Sequence, residues 1–156
     1  LRALAEGLGF TAVATYIQSG NLVFTAAGGA AKHEGALERA FAQHFGFQVE
    51  TLVREAKAWR AILAANPLVR LAEQDPAHLL VGLAKKPLRK EALAELRERA
   101  LGEERLELAA DALWIHYAAG IARSKLTPAL LDRCAGSTVT ARNWRTVLEL
   151  ERMLAG

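Results

Sequence analysis

Three short polar clusters hold the residues best suited to chemistry. Gln18-Ser19-Gly20-Asn21 sits between two apolar runs, Arg123-Ser124-Lys125 follows an apolar strand, and Thr140-Ala141-Arg142-Asn143 runs into Trp144. Thr127 stands before Pro128, and Thr140 before Arg142-Asn143-Trp144. Both read as helix starts, because a threonine oxygen accepts an orphan backbone N–H and proline at the first helical position loses no bond. Each start also carries cations, Arg123 and Lys125 at one, Arg142 and Arg145 at the other. The positive end of a helix dipole disfavours them, and a bound anion resolves that conflict. On this reading Arg123, Lys125 and Arg142 contact the anion, while Ser19, Asn21, Ser124 and Asn143 orient it. Gln18, Thr140 and Trp144 complete the candidate set. The plainer alternative is turn chemistry, helix caps and solvated charge, with no ligand at all.

Other chemistries find less support. His33, His44, His78 and His116 are far apart in the chain, and no set at ligand spacing is read around them, so no metal site is expected. His116 lies on an alternating strand with no nucleophile beside it, which favours a satisfied imidazole over a general base. Gly28-Gly29-Ala30-Ala31-Lys32 lacks both the spacing of a phosphate loop and the hydroxyl after the lysine. The lone Cys134 excludes an internal disulfide, suits a reducing cytoplasm and reads as core. Trp59, Trp114 and Trp144 likewise read as core before stacking platforms. No cofactor is expected.

The elements that must position the clusters follow from periodicity and punctuation. With 52% hydrophobic residues the 156-residue chain can bury a sizeable core. A net charge of +3 is compatible with phosphate-bearing partners but falls short of a dedicated DNA binder. No apolar run approaches the ~20 residues needed to span a bilayer, so no membrane partner is expected. The chain opens inside an amphipathic helix, Leu1 to Leu8, stopped by Gly9, and without an initiator Met a strand is expected to be missing before it. A hairpin is expected around Ser19-Gly20-Asn21, then a helix through Leu37, Phe41 and Phe45 ended by Gly46, a strand over Gln48–Val53 and a helix over Glu55–Ala65. Asn66 to Ala77, broken by Pro67 and Pro76, reads as a linker. His78 to Ala84 is apolar on both faces, so it belongs at the centre of a sheet. A helix opened by Pro87, a second hairpin around Ala110-Asp111, a helix from Pro128, a short strand over Ser137–Val139 and a last helix from Thr140 complete the order.

With one strand restored before Leu1, each half becomes a βαββαβ unit. The expected fold is therefore α+β, with two ferredoxin-like repeats packed as one unit: residues 1–66, a linker over 67–77, and residues 78–156 including the C-terminal helix.

The chain also resembles a known family, domain of unknown function 1697, through LRALAEGLGFTAVATYIQSGNLVF, GIARSKLT and TARNWRTVLEL. The resemblance implies the same two-repeat α+β fold, and a strand with a glycine-rich RGINVGG-like loop before the first helix. It implies no activity. Its motif residues fall on Gln18 to Asn21, Gly120, Arg123 to Leu126, Thr140 and Arg142 to Trp144. The leading expectation is a cytoplasmic domain that binds a phosphate-bearing ligand, either nucleotide-like or nucleic acid. The rivals are an enzyme acting on a phosphorylated small molecule, and a structural or interaction module without a ligand. The sequence does not specify an oligomeric state.

Overall fold

The computed structural model describes residues 1–17, 20–100 and 102–155. The chain is of mixed α+β architecture and divides into two compact units, Leu1–Ala56 with Glu149–Gly156, and Lys57–Leu148.

In the first unit, α1 (Arg2–Gly7) stops where sequence places the stop. Gly9 adopts φ +83°, and its N–H donates to the Glu6 carbonyl at 2.9 Å. Strands β1 (Thr11–Tyr16) and β2 (Asn21–Thr25) pair antiparallel, with Tyr16 opposite Asn21, so the expected hairpin is present. Helix α2 (Ala30–Phe45) ends on Gly46 at φ +75°. Phe10 and Phe24 stack at 4.2 Å, and His33 meets both edge-on, over a core that includes Ala5 and Leu37.

The strand expected over Gln48–Val53 is not there. These residues have no regular structure. The Thr51 and Val53 N–H groups donate to the Glu38 and Glu34 carboxylates of α2, each at 2.8 Å. Alternate backbone donors of an extended segment are thus taken by side chains on a helix instead of by a neighbouring strand.

Helix α3 (Ala56–Ala64), which belongs to the second unit from Lys57 onward, buries Trp59 and Ile62. The segment expected as a linker carries a short helix, α4 (Val69–Gln74). Pro67 precedes this helix and does not break it, and Asn66 Oδ1 accepts from the Leu68 N–H at 2.8 Å to shape the entry.

The chain continues through β3 (Leu79–Ala84), α5 (Ala92–Arg99), β4 (Glu104–Ala109), β5 (Ala112–Tyr117), a single 3-10 turn (Ile121–Arg123), α6 (Pro128–Ala135) and β6 (Val139–Asn143). The sheet order is β4-β5-β3-β6 and every pairing is antiparallel. The doubly apolar β3 lies inside the sheet, as its sequence requires. Ala110 and Asp111 turn β4 into β5 with φ of +49° and +55°, the primed turn that matches strand twist. Leu113, Ile115 and Tyr117 of β5 pack on Leu96 of α5 and on Leu131 and Cys134 of α6. Alternation sends Ala112, Trp114 and His116 to the opposite face.

A further correction concerns Thr140. It caps no helix but lies within β6, opposite Leu83, and the last helix, α7 (Trp144–Ala155), starts four residues later. The β-branched Val139 and Thr140 find ladder partners on β3, and pairing prevails over the local helix-start signal. Asn143 supplies the cap, its Oδ1 accepting from the Arg145 N–H at 3.0 Å.

Candidate functional site

The β5–α6 connection is built by its own hydrogen bonds. The Gly120 N–H donates to the Tyr117 carbonyl at 2.8 Å, Arg123 to Gly120 at 3.2 Å and Ser124 to Ile121 at 3.1 Å. Ser124 Oγ donates to Glu104 Oε1 at 2.6 Å and accepts from the Leu126 N–H at 3.1 Å. Thr127 Oγ1 then accepts from Leu130 N–H at 3.3 Å, with Pro128 at the first helical position, so α6 is capped as its sequence indicates.

The side chains of Arg123 and Lys125 stand exposed on this braced turn and make no ion pair among the described residues. Several other arginines are neutralised: Arg54 by Glu34, Arg89 by Glu95, Arg97 by Glu107 and Arg152 by Glu149. Beside the turn lies a cleft of about 270 Å³, with Tyr117, Gly120, Arg123 and Ser124 on it, and Glu103 and Glu104 as well. Burial, helped by the Glu104 charge, pushes the Tyr117 hydroxyl up to about 12, so it stays protonated.

The other candidate residues have different surroundings. Arg142 is half-buried on β6 opposite Val81, its guanidinium donating to the Ala141 carbonyl at 3.1 Å, and burial lowers its pKa. Being in a strand, it does not oppose a helix dipole. Asn143 donates from Nδ2 to the Ala77 carbonyl and caps α7. Trp144 is buried, 5.7 Å from Trp114 between ring centres. Asn21 is buried too, and its Nδ2 donates to the Tyr16 carbonyl at 3.2 Å across the first hairpin. Gln18 and Ser19 lie outside the described residues.

The Arg123–Lys125 turn and Asn143 lie at the same end of the sheet, where β5 and β6 finish. They stand on different strand pairs, the turn bonded to β4 through Glu104 and Asn143 beside β3.

Sequence reasoning missed one constellation. His116 is buried, and its Nε2 lies 2.9 Å from Asp75 Oδ2. His78 Nδ1 lies 2.9 Å from both Asp75 oxygens. The hydrogen bond from His116 and then that from His78 hold the Asp75 carboxyl below its ordinary value. The available signal was the short run Asp75-Pro76-Ala77-His78, a turn former with a carboxylate three residues before an imidazole. No group of three or more metal-ligating side chains among the described residues could hold a metal ion. Nor is any of their helices long and apolar enough to cross a membrane.

A family model described as "Protein of unknown function (DUF1697)" matches residues 1–114. The chain belongs to this family. Of the three signature segments, the first falls inside the match, while the GIARSKLT and TARNWRTVLEL segments of this DUF1697 chain lie beyond it. Among solved structures it is similar to the conserved bacterial protein SP0830 from Streptococcus pneumoniae. The TM-score is 0.75 at 23% identity, covering 98% of this chain and 86% of that one. At that identity the likeness is one of fold. No curated protein matches the sequence.

Proposed function

We propose that this DUF1697 chain binds a phosphate-bearing ligand, a nucleotide-like molecule or nucleic acid, on the turn between β5 and α6. The observation that carries the reading is the pair Arg123 and Lys125, exposed and without an ion pair among the described residues, on a turn braced by Ser124. Two cations held close together by backbone bonds are pre-organised for phosphate oxygens. Glu103 and Glu104 repel a phosphate from their side of the cleft and confine it to the cationic side. Ser124, Thr140, Asn143 and Trp144 shape turns, strand and core in this reading, and Arg142 adds positive potential from β6.

A cytoplasmic setting goes with it, on the ground of the lone Cys134. The proposal of two ferredoxin-like repeats, 1–66 and 78–156 about a 67–77 connection, draws its support from the β-α-β-β-α-β order of Leu79–Asn143.

The test is a thermal-shift screen of phosphorylated metabolites and short RNA, followed by titration of the best binder. Arg123→Ala with Lys125→Ala should weaken it by about 1.5–3 kcal/mol per charge-assisted bond lost. Unchanged binding by the double variant overturns the assignment. A screen without any binder favours a structural module.

A further inference from the structure

The Asp75–His78–His116 cluster is separate from the phosphate-binding turn and owes nothing to that reading. Its geometry begins in the local sequence. Asp75-Pro76-Ala77-His78 closes as a turn, with the His78 N–H donating to the Asp75 carbonyl at 3.2 Å. The segment is pinned on both sides: Asn143 donates to the Ala77 carbonyl, and the Tyr117 N–H donates to the His78 carbonyl at 2.9 Å.

A carboxylate only accepts hydrogen bonds, and a neutral imidazole has one N–H and one lone pair. His78 therefore donates from Nδ1 to Asp75, which leaves its lone pair on Nε2. His116 donates from Nε2 to the same carboxylate and holds it from strand β5, across 41 residues of sequence. The His78 side chain is 45% exposed, against 7% for His116, so His78 is the imidazole a substrate can reach. No described residue bonds to its Nε2.

We propose that this cluster is a proton-transfer site: His78 Nε2 is the reacting atom, Asp75 orients it, and His116 is a positioning residue that holds Asp75. An imidazole whose Nδ1–H rests on a carboxylate is the base arrangement used in acyl transfer. No serine, threonine or cysteine is hydrogen-bonded to His78 among the described residues, so the proton comes from water. The substrate class is an activated carboxylic ester that meets an open site. Water oxygen bonds to the carbonyl carbon as its proton passes to Nε2. The carbon–oxygen bond to the leaving group then breaks, the leaving oxygen takes that proton from the imidazolium, and acid and alcohol depart from a restored imidazole.

The test uses the intact chain and p-nitrophenyl acetate as probe. Hydrolysis should run several-fold faster than with free imidazole at equal concentration, with a normal solvent deuterium isotope effect. His78→Gln should return the rate to that background, while His44→Gln, which alters another exposed imidazole, should leave it unchanged. His116→Gln keeps a donor for Asp75 and should retain most of the rate, whereas His116→Leu should lose it. Side-chain nitrogen NMR of the unsubstituted chain reads the tautomer directly and should find the proton of His78 on Nδ1. Equal rates for His78→Gln and the unsubstituted chain, or a proton on Nε2 of His78, overturn the proposal.

Discussion

Asp75 carries its charge between His116 and His78, and these two bonds hold its carboxyl below the ordinary carboxylate value. A group depressed in this way adds stability above its unfolded value of about 3.9, and loses it as pH falls through the folded one. Asp75→Asn should therefore be less stable than the unsubstituted chain at neutral pH. The gap should close in acid, where the native carboxyl is protonated as well. Urea melts across that range check this, and a pH-independent gap contradicts it. Arg142 makes the opposite point about reading residues locally. At a helix start it would sit against the dipole, and its removal would leave the free protein no weaker. On β6, half-buried opposite Val81, its aliphatic stem contributes to packing. Arg142→Ala should cost about 1 kcal/mol of stability without any ligand, measured by denaturant melts in phosphate-free buffer.

At the scale of elements, the β6–α7 junction shows how strand pairing displaces a cap. Asn143 serves the helix through Oδ1 and the β3 approach through Nδ2, while Thr140 serves neither. Asn143→Ala should cost ~1–2 kcal/mol, and Thr140→Ala less than ~1 kcal/mol. The reverse order in melts would restore Thr140 as the cap. The β4–β5 turn offers a change in the other direction. Ala110 occupies a left-handed conformation that strains an alanine, whereas asparagine tolerates it. Ala110→Asn should stabilise the chain by about 1 kcal/mol. Asp111 is better left alone, because its Oδ1 accepts from the Leu88 N–H at 3.2 Å. A loss of stability in Ala110→Asn would mean that the primed turn does not form.

For the molecule as a whole, a net charge of +3 limits how much of any nucleic-acid affinity can be electrostatic. If Arg123 and Lys125 are the only phosphate contacts, single-stranded RNA binding should fall with salt at a log–log slope of about −1.4. A much steeper slope measured by titration at several salt concentrations would require a wider cationic surface than the β5–α6 turn. A slope near zero with strong mononucleotide binding would place the ligand among small molecules.

Much of this was legible in single windows of sequence. The Gly9 and Gly46 helix ends, both hairpins, the Thr127-Pro128 cap, the inner position of β3 and the burial of Cys134 all follow from a few neighbouring residues, because capping, turn chemistry and periodicity are local interactions. What sequence alone left undecided depends on partners supplied from elsewhere in the chain. Gln48–Val53 has the pattern of a strand, yet Glu34 and Glu38 take its alternate N–H groups. Val139–Asn143 becomes a strand because β3 offers it a free edge. Asp75 and His116 are 41 residues apart and meet only when β5 pairs with β3 and sets His116 beside the turn that carries Asp75. A backbone group bonds to whichever partner the fold brings within reach, and only tertiary structure decides which that is.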